Sequence, residues 1–134
     1  MSQQNVAIVR EALAAFDRGD LDRLFVLIHP NFEGRVSPEL SAEPDTYRGE
    51  NGIRRYFESF SEAFDEIRFE VERLHDAGGD AVVVGLRMHA RGKLTGIQVE
   101  QRNAGVWSVL DGKLARIDTY VSFTEALEAV AQSG

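Results

Sequence analysis

Hydrophobic positions change their period once along this chain. In the N-terminal half, Val6, Val9, Leu13 and Phe16 fall on one stripe of a helix, and Gly19 ends the run. Asp20 is placed to cap a second helix with the stripe Leu21, Leu24, Phe25 and Ile28, closed by His29-Pro30. Residues 31–38, NFEGRVSP, read as a short extended piece. Residues 39–52, ELSAEPDTYRGENG, are polar and contain Pro44 and two glycines, which predicts a loop. A third helix is expected from near Asn51, with Ile53, Tyr56, Phe57, Phe60 and Phe64 on its apolar face. From residue 67 onward the period falls to two. Strands are predicted over 67–76, 81–91, 97–110 and 113–122, separated by AGGD, GKLTG and the hairpin signal Asp111-Gly112. Ser122 and Glu125 stand at capping-box spacing before a last helix over 125–132. Helices followed by an antiparallel meander predict one α+β domain over residues 1–134, a curved sheet with helices across one face.

Alternation along each strand sorts residues into faces. The inward set is Phe32, Gly34 and Val36, then Val82, Val84, Leu86, Met88 and Ala90. It continues with Ile97, Val99, Gln101, Asn103, Gly105, Trp107 and Val109, then Ala115, Ile117, Thr119, Val121 and Phe123. The outward set holds the charges: Glu33, Arg35, Arg87, His89, Arg91, Glu100, Arg102, Arg116 and Asp118. Asp118, the one carboxylate in the last strand, is expected outside beside Arg116 or across from Arg102. A one-residue bulge would reverse its direction. The expected pocket is walled by Gly34, Val36, Leu86, Met88 and Trp107, with Tyr56 and Phe60 from the third helix. Its polar groups are Gln101, Asn103 and Thr119, with Tyr47 or Tyr56. Apolar walls with a few directional groups are the usual make-up of a small-molecule site. Trp107 reads first as a core aromatic and second as a flat wall for a planar ligand.

Composition narrows the chemistry. With 134 residues, 43% of them hydrophobic, the chain can bury a core without staples, and it has no cysteine. That removes thiol nucleophiles and cysteine metal sites, and fits a cytoplasmic location. The net charge of −7 and the lack of a basic patch exclude duplex binding; nucleic acid is not an expected partner. The N-terminus does not read as a signal peptide, and no apolar run would span a bilayer. No two histidines stand at metal-ligand spacing, so no metal is expected. Phosphate-loop, dinucleotide and nucleophile-elbow motifs are missing, so no cofactor is expected either. His29 lies at a helix end and His89 faces outward. The remaining candidates for catalysis are His75, beside Asp76 near a strand end, Tyr47 and Thr119.

One set of short motifs adds to this. Gly19-Asp20, His29-Pro30-Asn31, Tyr47-x-Gly-x-x-Gly-Ile53, Ala77-Gly-Gly-Asp80, Trp107-x-x-x-Asp-Gly-Lys113, Tyr120 and Glu125-Ala-Leu127 occur in this order. With them the chain resembles the SnoaL-like branch of the nuclear-transport-factor-2-like superfamily over nearly its whole length. The resemblance implies a cone-shaped, cystatin-like fold: a bent, mostly antiparallel sheet, N-terminal helices across its concave face, and an apolar pocket between. It also implies a homodimer through the outer sheet face. It does not imply one activity, because this fold hosts isomerases, dehydratases, cyclases, hydrolases and binding domains. The acidic and polar groups of the epoxide hydrolase branch fall here on Gly34, Val36, Leu86, Met88 and Thr119, and the base of the ketosteroid isomerases on Val36. None of those groups is retained. The leading expectation is a domain binding a small hydrophobic or planar molecule. The alternatives are an isomerase, cyclase or hydrolase of the superfamily, and a dimeric protein-interaction module.

Overall fold

Val9, Ala12, Leu13 and Ala15 are buried along one side of the first helix, which sets the rest of the packing. The computed structural model describes residues 2–36 and 46–132; the end of the expected extended piece at 37–38 and the part of the expected loop at 39–45 lie outside them. Helix α1 (Ser2–Arg18) ends at Gly19, whose φ of 68° turns the chain while Asp20 donates its backbone N–H to the Ala15 carbonyl at 2.9 Å. Asp20 then caps α2 (Leu21–Leu27), accepting from the Arg23 N–H at 3.1 Å.

The second helix is shorter than its apolar stripe. Ile28, itself extended, opens strand β1 (Ile28–Arg35), and His29 directly before Pro30 is pushed toward extended backbone as well. There Ile28 pairs with Leu114, a tertiary contact that local periodicity does not reveal. The expected loop is likewise shortened. Strand β2 (Thr46–Arg48) pairs antiparallel with β1, and α3 (Gly49–Ala63) starts directly after it. Phe64, expected on α3, begins β3 (Phe64–Asp76). Strands β4 (Ala81–Gly92), β5 (Gln98–Leu110) and β6 (Lys113–Tyr120) complete the meander, and α4 (Phe123–Gln132) closes the chain. Glu125 donates its N–H to the Ser122 hydroxyl at 3.1 Å, the cap expected for α4.

The six strands run in the order β2-β1-β6-β5-β4-β3, with only the β1–β6 pair parallel. Two apolar layers cover the sheet. On the inner side, α1, α2 and α3 bury Leu24, Phe32, Ile53, Val82, Val84, Trp107, Leu114 and Ile117. On the outer side, α4 packs Ala126, Phe123, Leu127 and Val130 against Val83, Ala104, Val106 and Tyr120. The N-terminal helices cover the inner face as expected, and the last helix covers part of the opposite face. Phe123 was expected inside. The strand ends at Tyr120, so alternation stops there, and the Phe123 ring reaches the outer face of Gly85 instead. A Cβ on Gly85 would stand 3.1 Å from it, so this strand glycine serves a close approach rather than a bend alone.

A bulge also shifts one inward residue. Opposite Ser108 and Val109 of β5, the β6 partners are Arg116 and Leu114, which leaves Ala115 unpaired. Leu114, not Ala115, is then buried in the inner layer. Beyond the bulge the expected alternation resumes with Ile117 and Thr119 inside. Among the described residues, no helix is long and apolar enough to cross a membrane.

Candidate binding site

Between the inner sheet face and α1 and α3 lies a partly enclosed cavity of about 80 Å³. A buried water needs roughly 10–15 Å³ measured this way, so the space is on the order of six waters. Its sheet wall is Leu86 on β4, Asn103, Gly105 and Trp107 on β5, and Ile117 and Thr119 on β6. Register explains the grouping: Leu86 pairs with Asn103, Gly105 with Thr119, and Trp107 with Ile117. Residues paired directly across neighbouring strands share a face, so one face carries all six. Gly34 and Val36 add the β1 edge, and Tyr47 the β2 edge. Leu13 and Phe16 of α1 and Ile53 and Tyr56 of α3 form the helical side.

Aromatic rings hold this wall together. Phe16 stacks on Phe57 at 5.2 Å and meets Trp107 edge-on at 5.6 Å. Tyr56 meets Tyr47 at 5.2 Å and Phe60 at 4.9 Å, both near-perpendicular. Edge-to-face pairs suit the ring quadrupoles and fix ring directions. Trp107 is 4% exposed, so it is a core residue and a wall residue at once. Burial, with Tyr47 beside it, pushes the Tyr56 phenol up to about 12, so this hydroxyl stays protonated and can donate across the physiological range.

Seven of the ten residues expected at the pocket lie on this wall: Gly34, Val36, Tyr56, Leu86, Asn103, Trp107 and Thr119. Phe60 stands behind it, supporting Tyr56. Met88 is 3% exposed but lies off the wall, paired with Gln101, which is exposed. Alternation puts both on the inward side, but the cavity ends before them. Of the three candidates for catalysis, Tyr47 and Thr119 reach the cavity. The Thr119 hydroxyl donates to the Arg35 carbonyl at 2.9 Å, tying β6 to β1. His75 does not reach it. This exposed histidine pairs with Val83, whose side chain belongs to the outer layer.

Several wall residues were not singled out from the sequence. Phe69 of β3 is one; Ile67, Phe69 and Val71 do alternate, and that pattern was the available signal. Ile53, Leu13 and Phe16 were visible only as core stripes, because periodicity cannot tell a wall from a core.

Charge is kept outside. Asp118 accepts two hydrogen bonds from Arg116, at 2.7 and 3.2 Å, while Arg102 turns to Glu72 instead. Arg35, whose segment borders the cavity, gives its guanidinium to Glu33 at 2.9 Å. No Asp, Glu, His or Lys side chain lines the cavity among the described residues, and no cluster there could hold a metal ion. On the outer face of β3, β4 and β5, Arg87 pairs with Glu72 at 2.8 Å and Glu100 at 3.2 Å, and His89 with Glu70 at 2.9 Å.

The chain is similar to several solved structures. One is an NTF2-like protein from Burkholderia thailandensis, 29% identical, with a TM-score of 0.78 over 96% of this chain and 97% of that one. A second is TerC co-crystallised with polyporic acid, 21% identical, with a TM-score of 0.78 over 93% and 98%. A third, from Catenulispora acidiphila, has a ketosteroid-isomerase-like fold and is in complex with trimethylamine; it is 14% identical, with a TM-score of 0.73 over 92% of each chain. The last two likenesses are of fold. Curated proteins yield no match. The family described as the SnoaL-like domain matches residues 9–117, and with the six-stranded bent sheet and its helix-covered inner face, this chain belongs to that family.

Proposed function

We propose that this protein binds a small, largely apolar molecule in the cavity between the inner sheet face and α3. The observation that carries the reading is the wall itself: mostly aliphatic and aromatic side chains with a few polar groups, Arg35 among them, and space beyond a water or two. The crystallisation of TerC with polyporic acid and of the Catenulispora protein with trimethylamine supports a small-molecule role. Tyr47, Tyr56 and Thr119 are among the polar side chains at the cavity that an isomerase, cyclase or hydrolase could use, and no observation favours one of these reactions.

The reading extends to assembly and place: a homodimer through the outer face of β3, β4 and β5, in the cytoplasm, without nucleic acid. The charged rows on that face suit a self-complementary contact.

The test is a thermal-melt screen of single-ring and two-ring aromatic compounds against the intact protein, followed by native mass spectrometry of whatever co-purifies. The expected result is a melting-temperature rise that saturates with concentration for at least one such compound, since a ligand of the folded state stabilises it by mass action. The same rise must vanish in Leu86→Trp, which fills the cavity. If no compound shifts the melt and nothing co-purifies, the cavity is not a binding site.

A further inference from the structure

Six ionisable side chains on the outer face of β3, β4 and β5 form one connected network. Arg87 stands 2.8 Å from Glu72 and 3.2 Å from Glu100. Arg102 donates two hydrogen bonds to Glu72, at 3.1 and 3.4 Å. His89 joins through both ring nitrogens, Nε2 at 2.9 Å from Glu70 and Nδ1 at 3.9 Å from Glu100. Three carboxylates therefore face two guanidinium groups, and the imidazole decides the balance. With His89 protonated the network is neutral. With His89 neutral it carries one uncompensated negative charge.

The surrounding charges do not supply the missing cation. Arg68 of β3 pairs in register with His89, but its guanidinium is held by Asp17 at 3.0 Å. Arg91, two residues along β4, is matched by Glu66 at 3.1 Å, and Asp65 across from it adds a further carboxylate. Arg73 of β3 turns the other way and lies over the Phe123 ring of α4 at 4.1 Å. The His89, Glu70 and Glu100 side chains are all exposed, so water screens their interactions in the free chain. Even so, the hydrogen bond to His89 holds the Glu70 carboxyl below the usual carboxylate range.

We propose that His89 is a pH switch for assembly: its imidazolium, set between Glu70 and Glu100, neutralises the outer face so that a second copy of the chain can cover it. The proposal rests on the homodimer proposed above and goes beyond it, adding the condition under which that dimer forms. A two-fold axis through this face brings two such networks together. Once water is excluded, an unpaired carboxylate on each copy costs desolvation and repels its like across the interface. Protonation of both imidazoles removes both penalties. The dimer therefore holds the His89 proton more tightly than the free chain does, and association strengthens as pH falls and weakens as pH rises. Carboxylates and guanidinium groups keep their charge between about pH 5 and 8, where an imidazole changes its own. The other two histidines stand elsewhere. His29 accepts the Asn31 N–H at 3.0 Å on β1, and His75 lies opposite Val83, next to the α4 layer.

The experiment measures the dimer dissociation constant of the full chain by sedimentation velocity at about pH 6 and about pH 8. Salt is kept at about 0.15 M, where a Debye length of about 8 Å damps general repulsion between copies. The parent should associate about tenfold more tightly at the lower pH, with one proton taken up on each His89. His89→Gln keeps a hydrogen-bonding side chain without the titration, and should associate equally at both pH values, as weakly as the parent at the higher one. His75→Gln removes another outer-face histidine and alters net charge by the same proton, yet should keep the pH dependence of the parent. Far-ultraviolet circular dichroism checks that each variant is folded. A dimer equally tight at both pH values overturns the switch and leaves the homodimer standing. A pH dependence that survives His89→Gln, or is lost in His75→Gln, belongs to another group and overturns the proposal. A chain that is monomeric at both pH values rules out the outer-face dimer and the switch with it.

Discussion

Met88 shows how a side chain can be enclosed without lining the cavity. It is 3% exposed, faces Phe69 and Gln101 in register, and touches no part of the cavity wall. Met88→Asp would leave a carboxylate with no partner in this place. We expect it to lower unfolding stability by about 3 kcal/mol, read from chemical denaturation. A variant that unfolds with the parent would show that the Met88 site is open to water. Trp107 differs in kind, since it is buried in the core and also lines the cavity. At this scale the sequence was informative wherever strand alternation ran unbroken. Gly34, Leu86, Asn103 and Thr119 follow from parity alone, and so does the outward direction of Asp118. Residues at breaks do not. Ala115 lies in a bulge and Phe123 beyond the strand end, and in both cases backbone pairing overrode the pattern.

Elements are joined by a few polar ties that no local pattern shows. At the end of α1, Asp17 accepts a bidentate pair from Arg68, both bonds at 3.0 Å, and the Phe69 backbone N–H at 2.8 Å. This fastens α1 to β3 next to a register shift in β3, close to Phe69 on the cavity wall. The Arg68 hydrogen bonds hold the Asp17 carboxyl below the usual carboxylate range, against the opposing effect of its partial burial. A depressed folded-state value means that the charged form is stabilised by folding. The contribution is therefore complete above about pH 4 and is lost as pH falls through the folded-state value. Asp17→Ala should cost about 1–2 kcal/mol at neutral pH, after allowing for the exposed Arg68 side of the pair. That difference should shrink as the pH falls below about 4 in parallel melts; a difference independent of pH would assign it to packing. Gly52 plays a comparable part at α3, since a Cβ there would lie 2.6 Å from the Tyr47 carbonyl carbon. The contact lets β2 run against the first turn of α3 and sets Tyr47 at the cavity edge.

At the scale of the whole molecule, the two faces of the sheet do different work. The inner face is apolar and shares its space between core and cavity. The outer face is split between the α4 layer and the rows of Arg87, His89, Glu70, Glu72 and Glu100. Ion pairs exposed to water contribute little to folding. In the proposed homodimer these rows are covered by a second copy, where charge reversal costs much more. Sedimentation velocity should then find a dimer for the parent chain and a monomer for Arg87→Glu, with unchanged far-ultraviolet circular dichroism. A monomeric parent at micromolar concentration would rule that interface out.

Composition and period determined the class of this protein by themselves: an α+β chain, helices before a meander, with charge on one side of the strands and apolar residues on the other. Those properties are local, because each residue's place on a helix stripe or strand face depends on its neighbours along the chain. The tertiary structure alone decided the parallel pairing of β1 with β6, the placement of α4 on the outer face, the bulge at Ala115, and the extent of the cavity. It also decided that the Trp107 indole folds over Gly105. These depend on contacts between residues distant in sequence, where packing and backbone hydrogen bonding outweigh the preferences of any single segment.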